Sequence, residues 1–210
     1  MSIQAGPAGS VLRQARLAQS LTVAWMVVEG VVAIGAGIGA HSVALTAFGV
    51  DSGIELFSSA IVLRRLVGRS ESEERGSLSG RERRASRLVG GALYALIAFI
   101  VISAGIGLVF RIKPASAPVG IDLTIASVLI MTVLWRWRLV LADRLGSPAL
   151  RGDAACSVVC LYMAVTTLAG LLLNRLFGLW WADPVAGLAL LWWIRKEASE
   201  ASEAGHEPVR

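Results

Sequence analysis

Charge is scarce in this 210-residue chain, and two of the charged or chargeable residue types are nearly missing. Charged residues make up 17% against 55% apolar ones, whereas a soluble domain averages about a quarter charged. That scarcity argues against a soluble globular domain. There are only two lysines and two histidines, so the pI near 10.0 is arginine's doing. The arginines fall between apolar runs, and no basic and aromatic pattern of the kind that reads nucleic acid is present. Nucleic acid is therefore excluded as a partner. Cysteine is limited to Cys156 and Cys160. Four residues apart on one rigid helix, they do not meet the geometry of a disulfide. Neither has an intramembrane histidine to act as its base, so the chain is not read as an enzyme.

What the chain has instead is length of apolar run, with a mean hydropathy of +0.66. After a polar N-terminal segment (1–20), the run Leu21 to Ala40 is long enough to span a bilayer and too long for a signal-peptide core. His41 and Ser42 leave almost no loop before a second run, Ser42 to Leu63, which ends at Arg64-Arg65. The charged loop 64–87 follows, then a third helix from Leu88 to Phe110. A fourth begins near Val119 and closes in Trp135-Arg-Trp-Arg138, an aromatic and basic interface signature. Ser147-Pro148 reads as an N-cap with proline at the first helical position, opening helix five. Asp183-Pro184 repeats that signal for a short helix six, and 197–210 is a short tail.

The expected fold is an all-α membrane protein, a six-transmembrane-helix bundle over 21–196. Arg13, Arg16, the 64–87 loop, Arg144, Arg151, Arg195 and Lys196 lie at one side, against Arg111, Lys113 and Arg175 at the other. The positive-inside rule then makes both N- and C-termini cytoplasmic. The expected location is the cytoplasmic membrane of a bacterium, with lipid as its surroundings.

Within the second run, Asp51 and Glu55 stand four apart, on one helix face. A carboxylate at membrane depth costs at least a few kcal/mol, and two on one face repel. Such a pair persists when protons, a basic partner or a bound cation neutralise it. Gly49 and Gly53 flank it at a spacing that lets another helix approach closely. Glu29, mid-way along the first run, is either a proton relay or an internal hydrogen-bond partner. Asp183 reads as the cap of helix six, and Asp122 and Asp143 as cap or interface residues.

Three stretches carry a family resemblance: Ser42-Val-Ala followed by Phe48-Gly-Val-Asp-Ser-Gly-Ile-Glu55, an Asp near the start of helix five, and Trp180-Trp-Ala-Asp-Pro-Val-Ala-Gly187. In that order they resemble the transmembrane domain of the cation diffusion facilitators, divalent-metal/proton antiporters, over roughly Leu17 to Glu200. The resemblance implies metal ligands at Asp51 and Glu55 of helix two and Asp153 of helix five. Ala149 stands where that family commonly has a histidine. Depth counted at about 1.5 Å per residue from Arg64 and Ser147 puts Glu55 level with Cys156 and Asp51 level with Cys160. Asp153 lies nearer the cytoplasm on that count. Resemblance thus favours Asp153 and depth favours Cys156 as the added ligand, while both cysteines also suit a small apolar core position.

The expected function is secondary transport, exporting a divalent metal cation from the cytoplasm in exchange for protons. A thiolate suits Zn²⁺ or Cd²⁺; Zn²⁺ is the first expectation, with Cd²⁺, Co²⁺, Fe²⁺ and Mn²⁺ as alternatives. The alternative function is a non-transporting membrane module that binds metal or scaffolds a partner. The resemblance implies a homodimer. With no soluble dimerisation domain in the sequence, it is expected to form through membrane helices, for instance at the Gly35/Gly39 face.

Overall fold

A computed structural model describes residues 7–68, 80–115 and 117–206. It is all helical among these residues: α1 (Pro7–Ala40), α2 (Val43–Gly68), α3 (Gly80–Val109), α4 (Pro118–Leu145), α5 (Pro148–Phe177) and α6 (Ala182–His206). Helix α2 packs against α1, α3, α5 and α6; α4 packs against α1 and α5, and α3 pairs chiefly with α6.

The helices run further than their apolar runs. α1 starts within the expected N-terminal segment, and α6 continues through most of the expected tail. The loop expected over 64–87 is shortened at both ends, because α2 reaches Gly68 and α3 begins at Gly80; 69–79 lie outside the described residues. α4 does not stop at Arg138 but continues to Leu145. Helices end where a cap stops them rather than where hydropathy falls.

The caps are legible. Gly146, at φ 55°, closes α4 with its N–H on the Ala142 and Asp143 carbonyls, and Ser147 accepts from Leu150 N to open α5. At the end of α1, His41 takes the left-handed conformation (φ 54°), and Ser42 N reaches back to the Gly37 carbonyl. Ser42 Oγ then accepts from Leu45 N at 3.1 Å and caps α2. Arg16 Nε donates to the Leu66 carbonyl at 2.8 Å, tying the other end of α2 to α1.

Asp183 is not the cap of its own helix. α6 already begins at Ala182, and the Asp183 carboxylate crosses to α2, accepting from Ser42 Oγ at 2.5 Å and Val43 N at 2.8 Å. An acid at a helix N-terminus is favoured by the exposed N–H groups there. In this fold the helix served is α2.

Polarity is distributed inside out. Val31, Ile38, Leu129, Val133 and Trp192 are 63 to 77% exposed, while Glu29, Asp51, Glu55, Asp153, Asp183 and Arg138 are buried. Soluble proteins rarely bury charge so freely or expose so many large apolar side chains together. The helical segments Ser10–Ala40, Val43–Arg64, Pro118–Leu145 and Leu150–Phe177 are each long and apolar enough to cross a membrane, and Leu93–Val109 is a shorter apolar stretch. With four helices of spanning length among the described residues, the architecture is compatible with an integral membrane protein.

Close packing centres on α1 and α2. A Cβ added at Gly49 would lie 2.7 Å from Ile34 N and 2.9 Å from Ala33 Cβ, so α1 approaches α2 backbone to backbone. Gly53 has open space instead, as do Gly35 and Gly39.

Candidate cation site

Three buried acids lie around one thiol, that of Cys160. Asp51 and Glu55 are 4 and 6% exposed on α2, and Glu29 of α1 is completely buried. The Gly49 contact brings the two helices close enough for Ser52 Oγ to donate to Glu29 Oε1 at 2.7 Å. Trp25 Nε1 donates to the second oxygen of Glu29 at 2.9 Å, from one turn earlier on α1.

Helix α5 adds a thiol. Cys160 Sγ donates to Glu29 Oε1 at 3.7 Å, with Glu55 and Asp51 also near it. A Zn²⁺ ion about 2.3 Å from sulfur and about 2.1 Å from oxygen at a tetrahedral angle sets the two ligand atoms roughly 3.6 Å apart. Cys160 and Glu29 have that spacing. Among the described residues, however, no three His, Cys, Asp or Glu side chains converge as a metal-holding group. The site is a hydrogen-bonded thiol–carboxylate pair at a spacing a Zn²⁺ ion would also fit, with two further carboxylates nearby.

Asp153 belongs to a second polar layer, nearer the α4–α5 turn. Its Oδ2 accepts from Arg138 Nη1 at 2.5 Å and Gln19 Nε2 at 2.7 Å, and its Oδ1 accepts from Ser59 Oγ at 2.8 Å. Arg138 is completely buried. Its Nη2 donates to Ser157 Oγ, and Ser157 in turn donates to Glu55 Oε1 at 3.2 Å. One hydroxyl therefore links the two layers. Buried charges of opposite sign need such pairing and hydrogen bonding to persist.

Of the residues expected from the sequence, Asp51, Glu55 and Glu29 all lie near Cys160. Asp153 is engaged by Arg138, with Ser157 standing between it and Glu55. Cys156 is half-buried on α5. The thiol brought against Glu29 is Cys160, which depth counting sets level with Asp51. Arg138 is the residue that sequence reasoning missed, because Trp135-Arg-Trp-Arg138 has the composition of a membrane boundary. Its signal lies in the turn that follows. Counted outward from Gly146, Arg138 and Asp153 sit at nearly matched depths on adjoining antiparallel helices, fifteen residues apart in the chain.

Compared with known proteins, the chain matches no family model and no curated sequence.

Proposed function

We propose that the protein is a secondary transporter exporting a divalent cation from the cytoplasm in exchange for protons, with Zn²⁺ as the favoured substrate. The observation that carries this reading is the pair Cys160 Sγ and Glu29 Oε1, 3.7 Å apart, with Asp51 and Glu55 buried beside it. Sulfur and carboxylate ligands together favour Zn²⁺ or Cd²⁺ over hard ions. Intramembrane acids that face a bundle interior mark ion pathways. Thiol and carboxylates give up protons when they ligate metal, and the protons return when the metal leaves. Export with proton return follows from that exchange if the site opens alternately to the two sides.

In the proposed topology all six helices cross and both termini are cytoplasmic, as the arginine asymmetry supports. A homodimer through the open Gly35/Gly39 face of α1 completes the proposal.

Asp51→Asn tests the reading, since it removes charge with little change of shape. Zn²⁺ flux into proteoliposomes should fall roughly tenfold or more while the variant still inserts. Undiminished flux would eliminate the site. The second reading, a membrane module that binds metal or scaffolds a partner without moving cations, is favoured by the incomplete convergence of ligands among the described residues. Metal binding with no flux in the wild type selects it.

A further inference from the structure

The Asp153 carboxylate gathers α1, α2 and α4 onto α5 at a single level. Gln19, Ser59 and Arg138 each contribute one donor, and all four residues are 5% exposed or less. This layer lies between the acid cluster and the α4–α5 end of the bundle. Toward the opposite end, the described ties at α2 are those of Asp183 to Ser42 and Val43. The acids Glu29, Asp51 and Glu55 and the thiol of Cys160 lie between these two levels.

The layer also holds two orphan groups. Arg138 Nε, a donor, and Gln19 Oε1, an acceptor, are buried with no partner among the described residues, although both residues bond the same Asp153 oxygen. Water reaching the layer would satisfy both, and such hydration would offset part of the cost of parting it. A purely structural staple gains from having every such group satisfied. Ser157, bonded to both Arg138 and Glu55, sets the layer one hydroxyl from the acids.

We propose that the Arg138–Asp153 pair, with Gln19 and Ser59, is a gate that closes the α4–α5 end of the cation route. This rests on the transport reading for what passes, but its test does not depend on flux. Cys160, 1% exposed, lies just beyond the layer and serves as a native reporter. In a Cys156→Ser background, its modification by the impermeant cation 2-(trimethylammonium)ethyl methanethiosulfonate is timed in vesicles of each orientation. With Arg138 in place, Cys160 should be protected from the α4–α5 side. Arg138→Gln should speed labelling from that side by roughly tenfold or more and leave the other side unchanged. Arg138→Lys, which keeps a cation, should stay protected. Ser59→Ala strands no charge, and it guards against misfolding of the first variant; it should shift labelling in the same direction by a smaller factor. Labelling that is unchanged in Arg138→Gln and Ser59→Ala, or that rises equally from both sides, overturns the gate. Measured in the same vesicles, a wild type that carries no cation while the sided labelling still appears overturns the transport reading alone. A wild type that carries cations while labelling does not respond overturns the gate alone.

Discussion

Arg138 and Asp153 meet 2.5 Å apart in the interior, their side chains 0 and 1% exposed. The turn at Gly146 makes the meeting possible. Its left-handed conformation reverses the chain in a few residues, so the end of α4 and the start of α5 run side by side. Outside the bundle the same turn carries a second pair, Asp143 with Arg151, which is exposed. The two pairs differ in weight, because water screens the outer one and not the inner.

The inner pair should therefore show strong coupling. Arg138→Met or Asp153→Asn alone strands one buried charge or its donors and should cost about 3–5 kcal/mol. The double substitution should cost clearly less than the sum. Unfolding of the purified protein in mild detergent measures all three, and additive losses would mean that the two groups do not pair.

The cysteines should separate by metal. Cys160→Ser keeps size and removes the soft ligand, so transport of Zn²⁺ and Cd²⁺ should fall roughly tenfold while Mn²⁺ transport survives. Cys156→Ser should leave the metal profile as it was. If Cys156→Ser alters the profile and Cys160→Ser does not, the ligand is the half-buried thiol.

Metal binding should release protons, because ligating thiol and carboxylates must be deprotonated. Protons then compete with metal, and apparent affinity falls as pH falls. Calorimetry in buffers of different ionisation enthalpy counts the protons released. Zero release, with affinity flat from about pH 6 to 8, would leave a uniporter or a passive binder.

The two glycines that flank Asp51 in sequence should respond oppositely to alanine. Gly49→Ala drives a Cβ to 2.7 Å from Ile34 N and should cost about 1–3 kcal/mol. Gly53→Ala meets nothing within 4 Å and should be neutral or gain up to ~1 kcal/mol of helix propensity. Thermal unfolding of the two variants checks the contrast; equal losses would mean that Gly49 does not hold α1 and α2 in close approach.

Helix identity is legible from the apolar runs, and the α4–α5 junction can be read to the residue from Ser147-Pro148. Asp51 and Glu55 announce themselves as acids in an apolar segment. Partnership is harder to read. Asp183 looks like the cap of its own helix because Asp-Pro is a local signal, and the groups it serves lie 140 and 141 residues away. Arg138 looks interfacial because tryptophan flanks it, and only the extension of α4 to Leu145 carries it inside. Cys156 and Cys160 differ by one turn, and choosing between them depends on helix rotation, which depth counting does not contain.

The long reach of Asp183 has a consequence for biogenesis. Ser42 and Val43 emerge early in synthesis, but the carboxylate that receives their hydrogens is made 141 residues after Ser42. At about 5–20 residues per second, that interval is on the order of ten seconds. Throughout it, the N-terminal turn of α2 stands with Val43 N–H lacking its final acceptor. A helix made late therefore completes the start of one made about 140 residues earlier, and a nascent chain released before α6 is synthesised leaves the acid-bearing helix unanchored at that end.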